Sequence, residues 1–142
     1  PAQSGIFLKQ GKHGIEIIDS SYSSNPDGVF ADLDYLKIFH GKKVIVMPCM
    51  IELGEKSAEI HEKIGRKIAE VCDMAIITSQ DKFKAVKMGA MAAGMEPKNI
   101  LLCDKPEDIY SIITLFCKLG DAVLLEGRVP YGLVNLLTGS TK

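Results

Sequence analysis

Short apolar runs alternate along this chain with longer segments in which apolar residues recur every three or four positions. The short runs predict β-strands at residues 6–9, 15–19, 43–47, 74–78, 100–103 and 122–126. Most of them are apolar at successive positions, which is typical of strands covered on both faces in a parallel sheet. The first two runs lie close together around residues 12–14 and are better explained as an antiparallel hairpin.

The longer segments predict helices whose ends carry recognisable signals. Asn25 and the proline after it supply an N-cap and a first-turn residue for a helix that runs to about Phe39. Ser57 is the predicted N-cap of the second helix, and Asp104 with Glu107 has the spacing of a capping box before the fourth. The five predicted helices begin near residues 26, 57, 83, 106 and 131.

Strand and helix therefore alternate repeatedly, without an internal linker or a sequence repeat. This order predicts an α/β fold: one three-layer, Rossmann-like domain over residues 1–142, with a mostly parallel sheet of about six strands flanked by helices. Ligands of such sheets bind outside the carboxyl ends of the strands. Functional residues are expected in the segments that follow the strands, at residues 20–25, 48–56, 79–81, 104–105 and 127–131.

The composition excludes some classes of binding partner and indicates the cellular compartment. With 17 Lys and Arg against 18 Asp and Glu, the formal net charge is −1, which argues against nucleic acid or a membrane surface as partner. The longest apolar stretch, residues 44–51, contains a proline and is far shorter than the ~20 residues of a membrane-spanning helix. No signal peptide is recognisable, so a cytoplasmic location is expected. The four cysteines are widely spaced and are expected to be free thiols.

The sequence contains none of the short motifs that mark a self-sufficient enzyme. It has no P-loop, no G-x-G-x-x-G after the first parallel strand, no G-x-S-x-G and no H-E-x-x-H. Glu52, Glu55, Glu59 and His61 could be assembled into a metal site, but carboxylates at a helix start are usually solvated partners of the helix dipole. Neither a metal site nor a catalytic residue is predicted, and His61 is interpreted as a structural histidine.

Two segments carry a resemblance to a known family. The first, residues 17–26, is I-I-D-S-S-Y-S-S-N-P, and the second, residues 47–57, is M-P-C-M-I-E-L-G-E-K-S. They resemble the I-D-D-S-Y-N-A-N-P and G-D-M-x-E-L-G-x-x-S-x-x-x-H stretches of the C-terminal domain of the Mur ligases, in particular of the D-alanyl-D-alanine-adding type, and His61 matches the final histidine. The strand–helix order and the run at residues 124–128 are also similar, so the resemblance covers essentially the whole chain.

This resemblance implies a role inside a larger ATP-dependent amide ligase of cell-wall precursor synthesis. In that family an acyl phosphate forms on a UDP-linked muropeptide precursor, and an incoming amine such as D-alanyl-D-alanine attacks it. ATP and Mg²⁺ are held mainly by a central domain, and an N-terminal domain binds the UDP group; neither domain lies within this chain. The C-terminal domain closes over ATP and positions the incoming amino acid or dipeptide. The chain is thus expected to have its own upstream ligase domains as partner and to be inactive alone.

The first motif assigns four residues to the nucleotide. Asp19, Ser20, Tyr22 and Asn25 match it, and Ser20 stands where the family usually has the Asp that holds the ATP ribose. A hydroxyl can still bond a ribose, without the charge-assisted bond of a carboxylate. From the residues alone, Asn25 serves equally well as an N-cap and Tyr22 as a surface aromatic.

Three further residues are candidates for contact with the incoming substrate: Glu52, Ser57 and Arg128. Glu52 is either a solvated loop carboxylate or a group that fixes the amine. Arg128 either binds a substrate carboxylate with two parallel hydrogen bonds or pairs with Glu126 on the surface. The family has Lys-Gly-Ser where this chain has Glu126, Gly127 and Arg128. The alternative function is a non-catalytic α/β module that binds a nucleotide or a partner.

Overall fold

A six-stranded sheet forms the centre of the structure, a computed structural model that describes residues 5–22 and 25–139. The strands are β1 (Phe7–Gln10), β2 (Glu16–Ser20), β3 (Lys43–Met47), β4 (Met74–Ile77), β5 (Ile100–Leu102) and β6 (Ala122–Glu126). Their order across the sheet is β1-β2-β6-β3-β4-β5. The pair β1–β2 is antiparallel and every other pair is parallel. The predicted α/β fold with its initial hairpin is confirmed.

Five helices cover the two faces of the sheet: α1 (Pro26–Leu36), α2 (Ser57–Val71), α3 (Phe83–Ala92), α4 (Pro106–Phe116) and α5 (Leu133–Thr138). Apolar residues of α1, α2 and α3 pack with one set of strand residues into a first core. Those of α4 and α5 pack with the alternate strand residues into a second core. Successive strand side chains point to opposite faces, so strands that are apolar at every position fill both cores. The result is the three-layer arrangement that the sequence predicts.

Helix α1 begins as predicted, whereas the other two predicted caps are wrong. The Asn25 side chain accepts a hydrogen bond of 2.8 Å from the Gly28 N–H. Ser57 is already the first residue of α2, because a 3₁₀ turn at Gly54–Lys56 leads directly into the helix. The capping box is also absent, since α4 begins at Pro106 without a side-chain cap. The first residue of α4 is a proline, which has no backbone N–H, so this position has no donor that needs a cap. Helix α1 ends at Leu36, three residues before the predicted end.

The four cysteines are free thiols, as predicted. Cys49, Cys72 and Cys117 are buried, and Cys103 is half-buried. Burial disfavours the thiolate and raises the pKa of all three buried thiols, in the case of Cys117 to about 12. These three groups are therefore protonated at neutral pH and poor nucleophiles. In the described part of the chain, no helix has the length and apolar character needed to cross a membrane.

Candidate functional site

The carboxyl ends of β2, β6 and β3 lie side by side in the middle of the sheet. Ser20, the last residue of β2, is paired with Glu126, the last residue of β6. Beyond the strand ends, the Gly127 N–H still donates to the Ser20 carbonyl at 3.1 Å. Gly127 has φ +72°, a left-handed conformation that glycine adopts without strain and that turns the chain away from the sheet. The segments predicted to carry function after these strands therefore lie along one edge.

A cleft of about 410 Å³ opens at this edge. Its apolar wall comes from α1 and from the segment after β3, and polar groups come from the segments after β4 and β6. It is lined by Val29, Met47, Pro48, Cys49, Met50, Ile51, Ser79, Asp81, Glu126, Gly127 and Arg128. Glu126 is 1% exposed, whereas Arg128 is exposed at the surface. Glu126 is therefore not the surface carboxylate that the pairing with Arg128 assumed, because its side chain is buried at the end of a core strand.

Ser20 is buried, and its hydroxyl points toward helix α1. It is 1% exposed and donates a hydrogen bond of 2.5 Å to Oδ2 of Asp32. Asp32 is itself buried and lies on the face of α1 that also carries Val29 and Leu33. Ser20 and Asp32 therefore form a buried polar pair that joins the end of β2 to α1.

Asp19 lies on the opposite face of β2 and holds the hairpin together. Its Oδ2 accepts from the Lys9 ammonium at 3.0 Å, and its Oδ1 accepts from the Ser21 N–H at 3.0 Å. Burial opposes ionisation of this carboxyl, but the bonds from Ser21 and Lys9 outweigh it and hold the pKa of Asp19 below its usual value. Asp19 is therefore ionised at neutral pH and joins β1 to β2.

Tyr22, after β2, and Asn25, before α1, are both exposed. Tyr22 is 60% exposed, and its ring meets the Phe7 ring edge-on with centroids 6.3 Å apart. Asn25 caps α1 with its side-chain oxygen, as described above. Ser23 and Ser24, which the sequence offers as further donors, lie outside the described residues.

The second motif folds into a turn that is fastened to α2 by His61. Glu52 is exposed with φ +61°, and neither it nor Ser57 lines the cleft. His61 is fully buried, and its Nε2 accepts a hydrogen bond of 2.9 Å from the Met50 N–H. Because an N–H can only donate, the ring proton resides on Nδ1, which donates to the Ser57 carbonyl at 2.7 Å. The interpretation of His61 as structural is confirmed.

Two residues of this edge, Asp32 and Glu126, were not predicted from the sequence as site residues. Each carried a signal: Asp32 interrupts the apolar face of α1, and Glu126 ends a run of buried strand residues. A charged residue at a position patterned for the core is a sign of a specific partner. Within residues 5–22 and 25–139, no group of three or more His, Cys, Asp or Glu side chains could hold a metal ion.

Comparison with known proteins gives consistent matches. A profile of the family described as "Mur ligase, glutamate ligase domain" matches residues 7–129. The UDP-N-acetylmuramoyl-tripeptide–D-alanyl-D-alanine ligase of Mycobacterium leprae is 26% identical over 136 residues, covering 84% of this chain and 26% of that protein. The chain thus spans about a quarter of the length of this relative.

Solved structures agree with the sequence comparison. The MurF ligase of Thermotoga maritima, determined in complex with ADP, matches with a TM-score of 0.75 and 27% identity over 99% of this chain and 31% of that one. A MurF of Acinetobacter baumannii matches with a TM-score of 0.69 at 23% identity, over 89% of this chain and 27% of that one, which supports the fold alone. On the extent of the family match, this chain belongs to the Mur ligase family as its glutamate ligase domain.

Proposed function

We propose that this chain is the C-terminal domain of an ATP-dependent ligase that extends a UDP-linked muropeptide precursor with an amino acid or dipeptide. In this role it closes over ATP and positions the incoming D-alanyl-D-alanine-like amine. The observation that carries the proposal is that the two family motifs follow β2 and β3, which flank β6 in the middle of the sheet, and that the second motif lines the cleft. The similarity to MurF ligases supports the same role.

The residues at this edge fit part of a nucleotide. Tyr22 offers an exposed ring, steadied by Phe7, against which an adenine can pack. The N-terminus of α1 presents backbone N–H groups and a partial positive charge that suit an anion. The structure of the T. maritima relative with ADP supports nucleotide binding in the family. The Ser20 hydroxyl donates to Asp32, so Ser20 would contact a ribose only as an acceptor or after rearrangement.

The rest of the ligase machinery is assigned to domains outside this chain. As the resemblance implies, Mg²⁺ and the phosphates of ATP would be held by a central domain. A separate N-terminal domain would bind the UDP group, so residues 1–142 form one domain of a multidomain enzyme. A P-loop domain encoded upstream of residue 1 would support the proposal, and an upstream region without one would contradict it. The cytoplasmic location stays a prediction.

Asn25 gives a direct test of nucleotide contact in the full-length protein. Asn25→Asp keeps a good N-cap but replaces the amide donor with a carboxylate, which repels phosphate. If the amide donor meets ATP, this variant should raise the KM for ATP roughly 5–150-fold while the Tm stays the same. Ligation rates at varied ATP concentration and thermal unfolding measure the two effects.

A second variant, Asn25→Ser, also preserves the cap but carries no negative charge, so it separates loss of the amide from repulsion of phosphate. It should lose ATP affinity with little change in stability, since its shorter side chain does not reproduce the amide. Normal ATP dependence in both variants would mean that Asn25 is a helix cap only and that the nucleotide lies elsewhere.

Ser20 and Asp32 provide a second, independent test. Ser20→Asp alone places a carboxylate against buried Asp32, so the free energy of unfolding should fall by ~2 kcal/mol or more. Exchanging the pair, with Ser20→Asp and Asp32→Ser together, keeps a single carboxylate and should recover most of that loss. If position 20 meets the ribose, the exchanged protein should bind ATP at least as well as the wild type. Unaltered stability of the single variant would rule out the buried pair.

A further inference from the structure

A carboxyl group of helix α1 is bonded to the last residue of β2. The Ser20 hydroxyl donates to Asp32 Oδ2 at 2.5 Å, and the two residues are 1% and 8% exposed. Water competes little for groups that are buried to this extent, so the bond is stronger than one at the surface. Removing either partner leaves the other buried without this hydrogen bond, which is costly. The pair is therefore a fixed point between α1 and the sheet.

Ser20 is also bonded to the segment that follows β6. Its carbonyl accepts from the Gly127 N–H at 3.1 Å, directly beyond the last paired residues of β2 and β6. The left-handed turn at Gly127 begins there and leads to Arg128. The side chain of Ser20 thus holds α1, while its backbone holds this turn. We call these two hydrogen bonds, from Asp32 through Ser20 to Gly127, the Ser20 bridge.

The Ser20 bridge joins two walls of the cleft. Val29 of α1, one helical turn before Asp32, lines the cleft, and Gly127 and Arg128 line it from the segment after β6. Apolar packing beneath α1 has no preferred direction, so by itself it allows the helix to shift along the sheet. A hydrogen bond weakens steeply as its angle departs from linear, so the bridge permits much less movement. The separation of the two walls therefore depends on the bond between Asp32 and Ser20.

Helix α1 also begins at the segment that the proposed function assigns to the nucleotide. Asn25 is its N-cap, and the N–H groups of its first turn suit an anion. Because a helix of this length moves as one body, a shift of α1 at Asp32 also displaces its first turn. Loss of the Ser20 bridge would therefore disturb the nucleotide segment and the cleft together.

We propose that Asp32 is a positioning residue of the ligase. Through Ser20 it holds α1 in register with the turn at Gly127, and so it fixes the first turn of α1 and the cleft wall relative to each other. Asp32 itself contacts neither ligand. This inference rests on the proposed function and adds to it the residue that keeps its two binding regions aligned.

Steady-state kinetics of the full-length protein test this role. Asp32→Ala and Ser20→Ala each break the bridge, and each should raise the KM for ATP and for D-alanyl-D-alanine roughly fivefold or more. Loss of folded protein alone would lower the apparent kcat and leave both KM values unchanged. Because the two groups act through one bond, the double variant should resemble either single variant. Asp32→Asn keeps an oxygen that accepts from Ser20 and should restore both KM values.

Asp34→Ala is the matched control. Asp34 lies on the same helix, but its exposed carboxylate pairs with Lys37 and with Lys67 of α2 instead of β2. This variant should unfold at a slightly lower temperature and keep the KM values of the wild type. An equal rise of both KM values in Asp34→Ala would overturn the inference, since loss of any carboxylate from α1 would then be sufficient.

Hydrogen exchange of the Gly127 amide gives a second measurement, which needs no catalysis. This amide should be protected in the wild type, exchange faster in Asp32→Ala and regain protection in Asp32→Asn. Unchanged KM values or unchanged Gly127 protection in a folded Asp32→Ala protein overturns the inference. So does a double variant in which the effects of the two single variants multiply. Where Asp32→Ala does not fold, Ser20→Ala and the double variant, which leaves neither partner buried alone, decide by the same measurements.

The two measurements separate this inference from the proposed function. Ligation with unchanged KM values in Asp32→Ala removes the inference and leaves the ligase role intact. A full-length protein that does not ligate, but whose Gly127 protection depends on Asp32, removes the proposed function and leaves the Ser20 bridge in place.

Discussion

Gly89→Ala is expected to destabilise the domain by about 2 kcal/mol or more, although alanine is the better helix former. Helices α2 and α3 touch through two glycines. A Cβ on Gly89 would lie 2.0 Å from the carbonyl oxygen of Glu62, and one on Gly65 would lie 2.1 Å from that of Val86. Both obstructions are backbone atoms, which no side-chain rotation can move. The helices must separate to admit a methyl group, and the core beneath them opens.

Thermal and urea unfolding measure this effect. For a chain of this length the Tm of Gly89→Ala should fall by roughly 6–10 °C, with Gly65→Ala behaving similarly. Ala92→Gly, at an exposed position of α3, is the control and should cost at most about 1 kcal/mol, the propensity difference alone. Because α2 and α3 follow the segments that line the cleft, their separation should also weaken ligand binding. A Gly89→Ala protein as stable as the wild type would contradict the close approach of the helices.

The main architecture was predictable because burial on two faces leaves a distinct pattern. Strands such as β3 and β6 lie between two helix layers, so apolar residues follow one another without alternation, and this separates them from amphipathic helices. The helix–helix contact was not predicted, although glycine in the interior of a helical stripe often has a packing reason. A glycine inside a helix indicates that another element packs closely against it, but it does not show which element that is.

The N-cap predicted at Ser57 is wrong because the conformation there depends on more of the chain than the capping motif itself. Ser57 has the chemistry of an N-cap, but the 3₁₀ turn before it supplies the Gly54 carbonyl to its N–H, and its hydroxyl lies 3.3 Å from His61 Nδ1. Local spacing carries no information about that turn. Asn25 was predictable because the following proline fixes the first helical position and leaves little choice of start.

The edge that carries the site was predictable from topology, but its inward-facing groups were not. Segments after parallel strands meet at one edge, which placed residues 20–25, 48–56 and 127–131 together. Which side chain enters the cleft depends on the face of the sheet to which the last residue of each strand projects, and on the turn that follows the strand. Glu126 projects into the cleft from the end of β6, Ser20 projects from β2 toward Asp32 of α1, and Arg128, after the left-handed turn at Gly127, lines the cleft from an exposed position.

His61→Ala is expected to loosen the wall of the cleft and to destabilise the domain by about 3 kcal/mol. The substitution empties a fully buried position and removes the acceptor of the Met50 N–H. It also breaks the bond to the Ser57 carbonyl, which holds the ring in its orientation. Met50 and Ile51 line the cleft, so the segment that carries them loses its attachment to α2. The expected result is a lower Tm together with weaker ligand binding.

Hydrogen exchange distinguishes loss of the hydrogen bond between the Met50 N–H and His61 from simple loss of packing. In the wild type the Met50 amide should be protected, and in His61→Ala it should exchange at the rate of an open loop. His61→Gln can present an oxygen near the position of Nε2, so it should retain part of the Met50 protection while losing the Ser57 bond. Lys63→Ala, an exposed position of the same helix, is the control and should change neither the Tm nor the exchange rate. If Met50 remains protected in a folded His61→Ala protein, the segment is held by its own turns and the histidine only fills space.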